Sequence, residues 1–402
     1  MKKILIGRLF LTCIFYNKKA KDMRLKNILF CITLIISINC YETKKMNILF
    51  MDNKAPDHSR SYIIKQMTGL IDKGHTVFCY ALSMNKPPVS HPDFVTYNLA
   101  KKFLTKNDML DFLPLCDVVI CERGTVGLAF FETIKPIGFN GRIITCFRGK
   151  DISIKNHASY HALFEKGDLF LPVCDHFKDI LMQEGCSNNK IIVHPSAINC
   201  DQFYYKERTP KNNDSIILIS VSRLIQKKGL EYTIQALHTV CKKYKNIQYW
   251  IIGTGGDEKR LKELVNQLGL SNNVFFLGNK SQEEVASYLH QADIFVLPSV
   301  IAKDGNKEGI PNALKEAMAT GLPVISTYHS GIPELVTDNI SGFLVPEKDV
   351  TALADRIEHL IKHQTIWSTM GAAGRKCIEE KFSKEVVIDE LERLLLALCN
   401  EC

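Results

Sequence analysis

The 402-residue sequence has no apolar stretch approaching the ~20 residues a membrane-spanning helix requires. It has no Asp-x-Asp pair of the kind that holds a divalent metal, no internal repeat and no long low-complexity segment. It also lacks a paired cysteine framework. Fourteen cysteines are present, but only Cys399-Asn-Glu-Cys402 has a C-x-x-C spacing, and a zinc site needs two further ligands. Cys79, Cys121, Cys146 and Cys174 lie within apolar runs and read as buried free thiols, which points to a reducing compartment.

A basic bias is missing too, despite a formal charge of +8. Residues 1–45 hold ten Lys/Arg and two Asp/Glu, which leaves 41 of each sign in residues 46–402. The globular part therefore gives no support to nucleic-acid binding. The extension itself has two short apolar runs, Ile4–Phe15 and Ile28–Ile38, each behind basic residues. It is compatible with a membrane-surface anchor, with an export signal, or with Met46 as the true first residue.

What is present from Met46 onward is an alternation of apolar runs and helical spacing. Strands are expected at Asn47–Met51, Thr76–Leu82, Asp117–Cys121, Arg142–Phe147, Asp168–Val173 and Lys190–His194. Residues 203–214 are polar and turn-rich and read as a linker. A second series follows, with strands at Ile216–Val221, Ile247–Ile252, Val274–Leu277, Ile294–Leu297 and Pro323–Ser326. Helices are expected at Leu230–Tyr244, Lys259–Leu268, Gln282–Gln291, Pro311–Thr320 and Lys384–Leu398. Two βα series imply an α/β protein with two Rossmann-like domains, parallel sheets and a central cleft. The expected division is an extension at 1–45, a first domain at 46–209, a second at 210–383, and a C-terminal helix at 384–402 that packs back on the first.

Ligands of such sheets sit at the carboxyl ends of strands. Arg223 and Lys228 fall there, after the Ile216–Val221 strand, and suit a diphosphate. Gly253 and Gly255 follow the next strand and would let a backbone approach a ligand closely. The run Glu308-Gly-Ile-Pro-Asn-Ala-Leu-Lys-Glu316 places a carboxylate before a helix start and a second one inside it. Pro311 suits the first helical position, and Glu316 lies at the edge of the buried stripe, on the face of Asn312. Free N–H groups at that helix start, with two cations nearby, favour an anion; the carboxylates accept from hydroxyls. A sugar nucleotide satisfies both demands.

These residues resemble a known family. Arg223-x4-Lys228, Glu308-x7-Glu316, Ser330-Gly-Ile-Pro-Glu-Leu-Val336 and Gly342-Phe-Leu-Val-Pro are similar to retaining GT-B glycosyltransferases of family 4. Pro56-x-x-Ser59, Arg148-Gly-x-Asp151 and Phe164–Pro172 resemble the colanic-acid and amylovoran type of exopolysaccharide glycosyltransferase. The resemblance implies transfer from a nucleotide sugar, in the first instance a UDP-hexose, to a lipid-linked saccharide at the cytoplasmic face of the inner membrane. It implies peripheral membrane contact, no nucleic acid, no metal and no cofactor beyond the donor. It assigns the leaving diphosphate to Arg223 and Lys228, the donor sugar to Glu308, and the ribose to Glu316. Gly309, Ile310 and Asn312 complete the implied donor side. The acceptor side is implied at Ser59, Arg60, Arg123, Arg148 and Asp151. Three stretches there depart from the family pattern and two add arginine, so a more anionic acceptor is expected. A sugar-nucleotide epimerase of the same fold and a non-catalytic sugar-nucleotide binder are the alternatives.

Overall fold

The computed structural model describes residues 44–54, 61–83, 104–133, 139–153, 160–211 and 215–400. The basic extension, apart from its last two residues, lies outside these, as do Ser59 and Arg60. The first half builds a five-stranded parallel sheet from β1 (Asn47–Lys54), β2 (Thr76–Ser83), β3 (Val118–Cys121), β4 (Arg142–Phe147) and β5 (Leu169–Pro172). Its order is β2-β1-β3-β4-β5. The second half builds a six-stranded parallel sheet from β6 (Ile216–Val221), β7 (Ile247–Ile252), β8 (Val274–Gly278), β9 (Ile294–Val296), β10 (Val324–Thr327) and β11 (Phe343–Val345). Its order is β11-β10-β9-β6-β7-β8. Both are doubly wound, so the expected pair of Rossmann-like parallel sheets is present. The winding reverses between β1 and β3 in one sheet and between β6 and β9 in the other. Such reversals open a crevice at the carboxyl ends of the strands.

The strands are short and apolar because helices cover both faces of each sheet. All four residues of β3, Val-Val-Ile-Cys, are buried. On one face of the first sheet Ile48, Phe50, Ile63 and Met67 pack with Leu391, Leu394 and Leu395 of the C-terminal helix Lys384–Asn400. That helix lies so close that a Cβ on Gly69 would sit 2.8 Å from Ile388 Cγ1. Polar contacts seal the same junction: Lys73 Nζ is 2.7 Å from Glu392 Oε2, and the buried His194 ring contacts the Val387 carbonyl at 3.1 Å.

Three expectations need correction. Lys190–His194 forms no strand; Ile191 makes an isolated bridge to Phe170. Ile192 and His194 donate to the carbonyls of Phe170 and Pro172. Pro172 has no N–H to return, so the ladder stops there. Residues 203–211 are no free linker. Phe203 belongs to the second core, and the buried Arg208 guanidinium donates to the carbonyls of Leu289, His290, Ala292 and Thr320. Packing therefore joins the second half already at Ile198, ahead of residue 210. There the two chain crossings between the halves pair with each other: Ile198 N–H donates to Phe382 O and Lys384 N–H to Ile198 O. Finally, Pro311 caps the helix Asn312–Ala319 from outside, with ψ 125°, and is not its first residue. Among the described residues no helix is long and apolar enough to cross a membrane.

Candidate active site

Three loops meet above the β6/β9 reversal, and glycine lets them touch. A Cβ on Gly253 (φ +122°) would lie 1.9 Å from the Ser222 carbonyl oxygen, and one on Gly255 would lie 2.3 Å from that of Leu224. One on Gly229 (φ +65°) would lie 1.9 Å from Pro298 O. The loops are then stitched by Leu224 N–H to Thr254 O and Val300 N–H to Lys227 O. The missing Cβ atoms at Gly253 and Gly255 therefore have a use within the fold itself. Their absence admits the protein's own backbone.

On this platform a short 3₁₀ turn, Gln226–Lys228, buries two lysines. Lys227 Nζ lies 2.9 Å and Lys228 Nζ 3.1 Å from the same Glu308 oxygen, Oε1. Burial on its own would raise the Glu308 pKa; the ammonium groups of Lys228 and Lys227 outweigh it and hold the carboxyl at about 2. Burial lowers Lys228; Glu308 opposes that shift, while Lys227 and Arg223 add to it. Arg223 is exposed, yet near enough for its charge to be felt at Lys228. Two ammonium groups thus share one carboxylate with a third cation nearby, and such a positive surplus calls for an anion. The sequence singles out Lys228 and not Lys227, although two adjacent lysines precede Gly229. Its ammonium also reaches Asn306 Oδ1 and the Lys307 carbonyl, which ties the loop before Glu308 to the turn.

The Glu308 loop is also where the two halves touch. A Cβ on Gly309 would fall 2.5 Å from Val173 Cγ2, just past β5. Ile310 packs against the cores of both halves. Glu334 accepts the N–H groups of Asp175 and His176, at 2.8 and 3.1 Å, and so caps a first-half helix from the second half. Asn312 is half-buried at the first turn. Glu316 is deeper than its edge position suggested, only 8 % exposed. Burial pushes its carboxyl up, against the pull of Lys65 and Lys315. Lys315, its neighbour, is 1 % exposed and donates to Ser196 O at 2.5 Å.

Arg148 and Arg123, expected on the acceptor side, are otherwise employed. Arg148 donates to Glu122 Oε2 (2.7 Å), Gln66 Oε1 (3.1 Å) and Ser196 Oγ (3.3 Å), and lies 4.4 Å over the Tyr62 ring. Arg123 donates to Asp52 Oδ1 at 3.2 Å. Asp151 accepts from the N–H groups of Gly124 and Gly149, both at 3.1 Å, and so organises backbone. Each arginine is matched by a buried carboxylate. The expected positive surplus on this side, and with it the case for a more anionic acceptor, is not found at Arg123 and Arg148.

A polar cavity of about 720 Å³ adjoins the cluster, lined in part by Gln226, Tyr232, Arg260, Ile301, Lys303 and Glu347. Arg223, Lys228 and Glu308 are not among its walls. No three His, Cys, Asp or Glu side chains gather as metal ligands among the described residues.

Residues 201–377 match the model of the family described as glycosyl transferases group 1. The chain is 34 % identical to the putative colanic acid biosynthesis glycosyltransferase WcaL of Escherichia coli, over 88 % of this chain and 100 % of the relative. It is 31 % identical to the amylovoran biosynthesis glycosyltransferase AmsK of Erwinia amylovora, over 87 % and 99 %. The crystal structure of Anabaena HepE in complex with UDP-glucose superposes with a TM-score of 0.70, at 15 % identity, covering 88 % of this chain and 100 % of that one.

Proposed function

The chain belongs to the glycosyl transferases group 1, and on that premise we propose that it moves a hexose from a nucleotide sugar to a lipid-linked saccharide during bacterial exopolysaccharide assembly. The anomeric configuration is retained, as expected of family 4. A UDP-hexose is the first donor to test, since the Anabaena neighbour was crystallised with UDP-glucose. A lipid-linked acceptor would set the enzyme to work at the cytoplasmic face of the membrane.

The observation that carries this reading is the Lys227–Lys228–Glu308 cluster with Arg223 beside it, above the β6/β9 reversal. Breaking the bond between the anomeric carbon and the phosphate oxygen leaves negative charge on the diphosphate. Fixed cations in a water-poor site stabilise that charge without reorganising, so the reaction needs no metal. Glu308 keeps the two lysines in place while the site waits. Once phosphate oxygens take over the ammonium groups, its carboxylate becomes an acceptor for sugar hydroxyls. Glu316, eight residues on, is assigned to the ribose. The acceptor side is assigned to the first half near Arg148 and Arg123, with Asp151 shaping the loop.

Incubation with radiolabelled UDP-glucose, UDP-galactose, UDP-N-acetylglucosamine and GDP-mannose plus a membrane extract tests this. Label transferred to lipid, with the donor's anomeric configuration in the product, supports it. Conversion into another nucleotide sugar would favour the epimerase, and binding without turnover a non-catalytic role.

A further inference from the structure

Glu308 is held by its side chain through two lysines, and its backbone is held as well. The Glu308 N–H donates to His329 Nε2 at 3.0 Å. An N–H can be accepted only by a bare nitrogen, so the ring proton sits on Nδ1. That nitrogen lies 2.6 Å from Glu347 Oε1 and donates to it. The second oxygen of the same carboxylate accepts the Ile301 N–H at 2.9 Å. One glutamate, placed just past β11, thus fixes both ends of the loop 301–308: Ile301 directly, and Glu308 through the imidazole. His329 is 1 % exposed, so no solvent substitutes for either bond. It precedes Ser330, whose φ of +49° is rare for a residue with a side chain. The turn that aims the ring therefore carries backbone strain.

We propose that His329 is a positioning residue for glycosyl transfer: as the neutral Nδ1–H tautomer it fixes the backbone of Glu308, so that the carboxylate meets the donor sugar in one orientation. The role rests on the donor-site reading above. It also gives the reaction an acid limit. Burial pushes the imidazole below its usual range, while Glu347 and Glu308 oppose that shift and Lys227 adds to it. His176, on the first-half helix Asp175–Gln183, also lies within the range of its charge. A protonated ring carries a hydrogen on Nε2 and repels the Glu308 N–H that it held.

The test compares His329→Gln, which keeps an acceptor oxygen and a donor NH₂ but does not titrate, with His329→Leu, which keeps volume alone. Turnover is followed with whichever nucleotide hexose of the panel above the wild type uses, and binding with UDP. His329→Leu should lose on the order of 10- to 100-fold in kcat, the scale of a small misplacement in a catalytic site. Its Kd for UDP should change less than about 3-fold, because the lysines remain. His329→Gln should recover most of the rate and lack the acid limb of the wild-type kcat profile. Equal impairment of both variants, wild-type rates in both, or an unchanged acid limb in His329→Gln overturns the role. If His329→Leu does not fold, His329→Gln and the ¹⁵N spectrum of histidine-labelled wild type decide. A protonated Nε2 at neutral pH sinks the proposal. A wild type that turns over no donor overturns the donor-site reading and the role with it; an active wild type with an unaffected His329→Leu overturns the role alone.

Discussion

The two halves of the cleft carry buried charge in opposite ways. In the first half Arg148 faces Glu122 and Arg123 faces Asp52, one cation to one carboxylate. In the second, Lys227 and Lys228 share Glu308, with Arg223 close by. A matched buried pair holds structure in place and has little left to offer a ligand. A surplus is stable only while something anionic, or water, can reach it. The number of arginines or lysines near a cleft therefore says less than how many of them a carboxylate already answers.

Breaking the matched pair should have the largest effect. Glu122 is fully buried. Glu122→Ala strands the Arg148 guanidinium and should cost about 3–5 kcal/mol of stability, read by urea denaturation. Breaking the surplus should spare the fold and strike the reaction. Lys228→Ala leaves Glu308 paired with Lys227, keeps the denaturation midpoint near that of wild type, and should raise the barrier by about 2–4 kcal/mol, the worth of one charge-stabilising donor. Arg223→Ala should behave alike. Equal stability losses for Glu122→Ala and Lys228→Ala would erase the contrast.

Enlarging the surplus sharpens the comparison. Glu308→Gln frees both lysines from a competing carboxylate. UDP should then bind tighter, by about 10-fold, or 1.4 kcal/mol, while turnover falls; weaker UDP binding would count against competition for the same cations. A further contrast is a pH dependence. Burial pushes the Lys315 ammonium down to about 7, with Lys65 and Arg148 adding to it and Glu316 opposing. A lysine in the unfolded chain titrates near ~10.4, so between these values the unfolded state binds the extra proton. Stability contributed here rises with pH, from about 7 towards about 10. Urea midpoints should rise across that window in wild type and do so less in Lys315→Met.

Much of this architecture was legible in the sequence because strands covered on both faces must be apolar throughout. The runs at Ile216–Val221 and Ile247–Ile252 match β6 and β7 residue for residue. Where the reading failed, the deciding partner was remote. Lys190–His194 look like a strand until Pro172, some twenty positions earlier, denies them a donor. Only three residues make up β11, too few for a periodicity to show. Lys227 escapes such a reading because only its neighbour falls in the Arg223-x4-Lys228 spacing. The Arg148–Glu122 match and the His329–Glu347 support are tertiary facts, made by residues 26 and 18 positions apart. Gly253 and Gly255 were noticed as glycines, but the atom each must avoid lies in another loop.

The most direct test is a crystal structure with UDP bound. The account predicts that Lys228 Nζ has exchanged Glu308 for a diphosphate oxygen, with Arg223 turned onto the same group. A diphosphate bound elsewhere, with the Lys228–Glu308 pair intact, would contradict it.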